Sequence, residues 1–215
     1  MNGNAVVTIN NVTAGTIAGD QTICSGSSTA AFSSNADGAG NGTVTYRWEI
    51  NTNMTTPSWS TISGATGNIY NPGTLTADAQ YRRVTINTLN NVACEAISNV
   101  LTVTVNNVTA GTIAGDQTIC SGSSTAAFSS NADGAGNGTI TYRWEINTNM
   151  TTPSWSTISG ATGNIYNPGT LTADAQYRRV TINTLNNVAC EAISNVLTVT
   201  VNNVTAGTIA GDQTI

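Results

Sequence analysis

The stretch "TVTYRWEI", residues 43–50, decides the fold. Its residues alternate, with Tyr46, Trp48 and Ile50 on one face of an extended chain and Thr45, Arg47 and Glu49 on the other. One face for a core and one for water is the pattern of a strand in an antiparallel sandwich. Trp48 is read as the large central side chain of that core. Working outward, residues 15–23 read as an extended first strand and 28–34 ("STAAFSS") as a second. Residues 35–42 ("NADGAGNG") read as a glycine-rich loop, and 58–63 and 68–71 as short strands around the turn "GATG". Residues 79–87 and 98–105 read as a long closing hairpin. Tyr81 is assigned to the core, at the start of the sixth strand. About seven strands in some 96 residues, with no helical periodicity, predict an all-β, Ig-like sandwich.

That sandwich occurs twice. Residues 10–105 and 106–201 differ only at Val44 against Ile140, so Trp144 and Tyr177 repeat the core roles of Trp48 and Tyr81. A period this long suits an autonomous domain and not a solenoid repeat. "NNVTAGTIAGDQTI" occurs a third time at 202–215, and "AVVTIN" (5–10) aligns with "LTVTVN" (101–106). The expected organisation is therefore two tandem Ig-like domains of about seven strands each, set end to end. Residues 1–9 would be the last strand of a preceding module, and 202–215 the first strand of a following, truncated one. No Gly/Ser/Pro linker separates the modules, which predicts a short, stiff junction.

Charged residues make up only 8% of the chain, against roughly 25% in an average protein. The six basic residues are all Arg (Arg47, Arg82, Arg83, Arg143, Arg178, Arg179), and the net charge is −5. Nucleic acid and anionic membrane surfaces are poor partners for such a chain. No apolar run approaches the roughly 20 residues of a membrane-spanning helix. Without His or Lys, the usual general bases and Schiff-base nucleophiles are missing. Each module has only Asp20, Asp37, Glu49, Asp78 and Glu95, or their copies, as acids. Near-identical copies favour tiling over catalysis, so no enzymatic activity and no cofactor are expected.

The motifs W-x-x-I-x-G-A-T (59–66), Y-x-P-G-x-L (70–75) and Y-R-R-V (81–84) complete a pattern spanning each module. It resembles the Ig-like or PKD-like tandem repeats of very large surface adhesins and secreted proteins of Bacteroidetes, gliding-motility adhesins among them. The resemblance implies an extracellular, non-catalytic module at the bacterial cell surface, serving as a stiff stalk or filament whose partners are neighbouring repeats. It identifies no ligand.

Each module has two isolated cysteines, Cys24 with Cys94 and Cys120 with Cys190. Without C-x-x-C spacing or His, a zinc site is not indicated, and disulfides are the default outside the cell. Cys24 falls at the turn after the first strand and Cys94 in the last hairpin loop, which departs from the immunoglobulin pattern. Traced up and down a sandwich, these turns lie at opposite ends, about 25 Å apart. A disulfide needs Cα atoms within about 7 Å. Bridging Cys24 to Cys190, between modules, satisfies that limit if modules stack end to end. Bridges within modules, 24–94 and 120–190, require a different course for the first strand. Both pairings stand at this stage.

Three binding chemistries have candidates. Trp59 and Tyr70, with Trp155 and Tyr166, lie beside the "GATG" turn, where exposed aromatics would form a platform for surface glycans or a protein. Asp20 and Asp116 are weak candidates for calcium, because the D-x-D-x-D pattern is missing and a turn aspartate explains them. Thr102 and Thr104 have ice-binding spacing, which ordinary strand alternation also produces. The sequons at Asn11, Asn41 and Asn53 arise readily in an Asn/Thr-rich chain. Lysine-dependent isopeptide cross-links are excluded because the chain has no Lys.

Overall fold

A computed structural model describes residues 7–211, in two compact units, Met1–Asn106 and Asn107–Ile215. The first unit runs β1 (Val12–Thr13), β2 (Thr16–Ala18), β3 (Gln21–Cys24), β4 (Ser27–Ser28), β5 (Ser33–Ala36), β6 (Ala39–Gly40), β7 (Thr43–Asn51), β8 (Ser60–Thr61), β9 (Thr74–Leu75), β10 (Ala79–Leu89) and β11 (Val92–Asn106). One sheet has the order β3-β11-β10-β7-β8. The facing layer is built from the short pairs β2–β5, β4–β9 and β1–β6, with a bridge between Phe32 and Tyr70. This is an Ig-like sandwich. The second unit repeats it from Val108–Thr109 to Leu197–Asn202, with its closing strand in two pieces, Val188–Ile193 and Leu197–Asn202.

The expected first strand is two strands. Gly19, at φ 129°, breaks it where a Cβ would press on the Phe32 ring at 3.0 Å. Before the break β2 pairs antiparallel with β5, and after it β3 pairs parallel with the end of β11. The closing hairpin is longer than expected. It turns at Asn90–Asn91, both at positive φ (50° and 62°), which is the conformation of a two-residue hairpin turn. Cys94 therefore sits on a strand, opposite Asn87, and not in a loop. The lead-in expected over 1–9 falls mostly outside the described residues, and residues 7–9 form no strand. Of the described residues 202–211, only Asn202 is in a strand and 203–211 have no regular secondary structure, while 212–215 lie outside the described residues.

The inner face of β10 changes chemistry halfway along. Ala79 and Tyr81 face an apolar core, and Arg83, Thr85 and Asn87 follow, all buried. In the apolar half four rings interlock. Phe32 lies 5.8 Å from Trp48 and 5.2 Å from Tyr81, and Tyr70 lies 5.5 Å from Trp48 and 6.0 Å from Tyr81. The Trp48 indole donates to the Gly67 carbonyl at 2.9 Å, so its one polar atom is satisfied. Trp144 and Tyr177 occupy the same places in the second unit.

The polar half is closed by glycines. The stretch read as a loop lies directly on β10. A Cβ at Gly38 would meet Thr85 Oγ1 at 2.0 Å, and one at Gly40 would meet Asn87 Cγ at 2.2 Å. The two layers are thinner here than side chains allow, so main chain packs on Thr and Asn. Arg83 fills the boundary. Its Nη1 donates to Ser34 Oγ and Asn68 O at 2.8 Å, and its Nη2 to Ala36 O at 3.0 Å and Ala14 O at 3.3 Å. Its guanidinium also lies 4.9 Å from the Tyr46 ring centre.

Opposite Arg83, β11 carries two residues, Ser98 and Asn99, against one on β10, a β-bulge. The bulge aims Asn99 at β2. Its Oδ1 accepts from Ile17 N at 2.9 Å and its Nδ2 donates to Ile17 O at 2.8 Å. The amide thus replaces a neighbouring strand for β2.

Replacing Arg83 with Met removes a donor from four oxygens, of which Ala14 O keeps the Thr85 hydroxyl at 2.9 Å, and a cost of about 3–5 kcal/mol is expected. Urea unfolding of Arg83→Met should show a matching fall in midpoint. A midpoint within error of the parent would mean water substitutes for the guanidinium.

Candidate functional site

The outer face of the five-stranded sheet carries half of the module's charged residues, Arg47, Glu49, Arg82 and Glu95. Arg47 donates to Glu95 through both terminal nitrogens and through Nε to Glu49 at 3.0 Å. Arg82 Nε donates to the other oxygen of Glu49 at 2.6 Å. The four groups form one neutral chain across β11, β7 and β10. Beneath it Val84, opposite Arg47 across the strands, is completely buried. The chain therefore acts as a lid on an outward-facing apolar residue.

Trp59 lies at the edge of this network, half-buried, with the Arg82 guanidinium 4.2 Å over its ring centre. Trp155 and Arg178 repeat the contact in the second unit. One face of each indole is thus occupied by a cation. Tyr70 and Tyr166 do not join a platform with them, because they pack against the two cores, in ring contact with Trp48 and Trp144. Their place followed from the Phe32–Tyr70 bridge, which no local pattern around residue 70 reveals.

The remaining acids brace main chain. Asp20 Oδ1 accepts from Thr102 N at 2.6 Å, and Asp116 does the same for Thr198 N. Asp78 Oδ1 accepts from Val105 N at 2.7 Å. Both fix the final strand, and Asp20 serves there as a backbone partner rather than as the member of a cation cage. Asp37 is an acceptor for Asn68 Nδ2 at 3.2 Å and lies 3.7 Å from Arg83 Nη1.

The cysteines occupy opposite poles of each unit. Cys24 is level with Asn106, the last residue of β11. Cys94 is the third residue of that 15-residue strand. At about 3.3 Å per residue the two are roughly 40 Å apart, far beyond the ~7 Å limit of a disulfide. Bridges within modules are therefore excluded: Cys94 and Cys120 are free thiols, and Cys24 and Cys190 are disulfide-bonded. Cys120 is level with Asn202, and Cys190 faces Asn183 at the other end of its own unit.

The carboxylates set the acid limit of the fold. Hydrogen bonding from Arg47 holds Glu95 below its ordinary 4.5, and Ser34 and Asn68 hold Asp37 below 3.8. Glu191 and Asp133 are lowered in the same way. Groups with depressed folded values add stability above the unfolded values, and that stability is lost as pH falls through the folded ones. Tyr81 is pushed the other way, to about 12, by burial and then by the nearby Tyr70. Its contribution holds below pH 10 and is lost as pH rises toward 12. Melting temperature should therefore be flat from about pH 5 to 9 and fall on both sides. Glu95→Gln with Glu191→Gln should shrink the acid slope and leave the alkaline one. An acid slope unchanged by that pair would assign it to other groups.

No curated protein sequence matches the chain. Among solved structures, it is similar to three N-terminal domains of the highly immunogenic outer capsid protein (Hoc) of bacteriophage RB49. That match has 12% identity, covers 92% of this chain and 70% of that one, and has a TM-score of 0.46. The N-terminal eight Ig domains of Down syndrome cell adhesion molecule (DSCAM) match at 14% identity over 89% of this chain and 27% of theirs, TM-score 0.33. Human protocadherin-24 EC1-2 matches at 13% identity over 78% and 84%, TM-score 0.28. One family covers both units, at residues 13–107 and 109–203, and the chain belongs to it: the domain of unknown function DUF8696.

Proposed function

We propose that each unit is a structural, non-catalytic repeat of a long secreted or cell-surface protein, built to carry tension along its length. The observation that carries this reading is the pairing of β3 with the end of β11. β3, which follows the two short strands at the start of the module, runs parallel to the end of β11, the strand that leaves it, Gln21 to Cys24 beside Val103 to Asn106. Pull applied from the two ends of the module draws these strands past each other. All the hydrogen bonds of the pair are then loaded together, in shear, instead of opening one by one. Asp20 and Asp78 brace the same segment through the main-chain nitrogens of Thr102 and Val105.

The use of charge supports the same reading. The arginines and acids of the first unit are engaged with that unit's own side chains or main chain. The finer reading, from the sequence resemblance, is a stalk of a bacterial surface adhesin of the Bacteroidetes gliding-motility type, outside the cell. Its partners would be neighbouring repeats of the same kind. A reading as a glycan- or protein-binding module rests on Trp59 and Trp155 alone.

Single-molecule pulling of the chain under reducing conditions tests the proposal. Two equal unfolding steps are expected, each of about 30 nm for a 96-residue module extended at ~3.6 Å per residue. Thr22→Pro, which breaks the parallel pair at a cost of about 3 kcal/mol, should lower the force of one step only. Equal forces in parent and variant would remove the clamp. Saturable quenching of tryptophan fluorescence by a glycan, lost in Trp59→Ala with Trp155→Ala, would favour the binding module instead.

A further inference from the structure

We propose that the free thiols Cys94 and Cys120 join copies of this chain head to tail through a Cys120–Cys94 disulfide. Every module carries one cysteine at each pole. Cys24 and Cys120 sit at the pole where the chain leaves, level with Asn106 and Asn202. Cys94 sits at the pole where the chain enters. There Asn10 donates to the carbonyls of Asn87 and Val92 at 3.1 and 2.7 Å, two residues from Cys94 on β11. Cys190 has the same position in the second unit.

Oxidation state follows this polarity. The two disulfide-bonded cysteines are an exit-pole cysteine, Cys24, and an entry-pole cysteine, Cys190. The two free thiols are the complementary set, the entry-pole Cys94 and the exit-pole Cys120. The modules differ at one residue, Val44 against Ile140, which flanks Asn87 or Asn183 on the side opposite the entry-pole cysteine and changes that end of the sheet by one methylene. A second copy of the chain therefore presents to Cys120 an entry-pole cysteine, Cys94, whose local sequence is that of Cys190, and presents to Cys94 an exit-pole cysteine, Cys120, whose local sequence is that of Cys24. Cys120 is exposed and Cys94 half-buried beside a shallow hollow lined by Thr8, Asn10, Leu89, Asn90 and Val92. Val92 is 58% exposed in that hollow, an apolar contact for an incoming pole.

Each link forms one S–S bond from two thiols, releasing two protons and two electrons. The electrons reduce an external disulfide, such as oxidised glutathione, to two thiols. The link rests on where the thiols lie and not on the stalk reading, which stands if the chain stays monomeric.

The test uses oxidised glutathione and two variants of the full chain, Cys94→Ser and Cys120→Ser. Non-reducing electrophoresis of the parent should show a ladder that collapses on reduction. Each variant alone should stay largely monomeric. An equal mixture should give a dimer, exceeding either homodimer by on the order of tenfold, the margin that a modest docking preference produces. Peptide mapping should recover Cys94 linked to Cys120 across that dimer. Homodimers as abundant as the mixed dimer, a Cys94–Cys120 bridge within one chain, or no oligomer would each overturn the proposal. Circular dichroism of both variants, with Cys94→Ala as a second replacement, establishes that folded chains are being compared.

Discussion

The buried guanidinium of Arg83 is the constraint on which the rest of the module depends. A charge in a protein interior survives only with its hydrogen bonds made. Arg83 meets that demand at its two terminal nitrogens, though not at the buried Nε, which has no hydrogen-bond partner among the described residues, by gathering oxygens from Ala14, Ser34, Ala36 and Asn68, which belong to three separate segments of the chain. Those segments are the edge of the facing layer. The arginine therefore attaches one layer of the sandwich to the other where apolar packing stops. The β-bulge on β11 belongs to the same arrangement. Ser98 Oγ accepts from the Arg83 main-chain nitrogen at 3.0 Å, and the extra residue turns Asn99 toward β2.

The composition follows from this design. Asn and Thr supply interior contacts that apolar side chains supply elsewhere. Asn87 donates through Nδ2 to Asn10 and Asn41 side chains and to Asn11 O, and accepts from Gly42 N. Asn51 holds the loop ahead of Trp59 by accepting from Asn53 N and Ser58 N. Asn71 accepts from the Thr29 hydroxyl and from Gly73 N. Each replaces a missing strand neighbour with a side-chain amide, which offers donor and acceptor together. Such contacts need directional geometry, and the alternating glycines at 38 and 40 provide it by letting main chain approach closely.

What was legible in the sequence was the periodic part. The alternation around Trp48 marks the central strand and the face that buries Trp48, while Tyr81 is read from its place at the start of the sixth strand and is buried as well. The 96-residue repeat predicts two like units, and the chain has two. What was not legible were features set by pairings distant in the chain. Tyr70 reads as a surface aromatic in a turn-rich stretch, and it is a core ring only because Phe32 bridges to it. Gly38 and Gly40 read as loop residues because the reason for them lies about 47 positions away on β10, at Thr85 and Asn87. The Asn90–Asn91 turn is hard to read for a local reason: Asn-Asn is a weaker hairpin signal than Asn-Gly.

The near-identity of the modules has a physical consequence for their poles. A surface that meets a different partner can change independently of it. Here one 96-residue sequence encodes both the exit pole, with Cys24, and the entry pole, with Cys94. A substitution made in both copies therefore changes the same pole of both units. The parallel pair β3–β11 links this to load, because it ends at Asn106, beside the exit-pole cysteine. Under the mechanical role proposed above, tension leaving a module would pass through the hydrogen bonds of this pair, whose last position sets Asn106 level with Cys24.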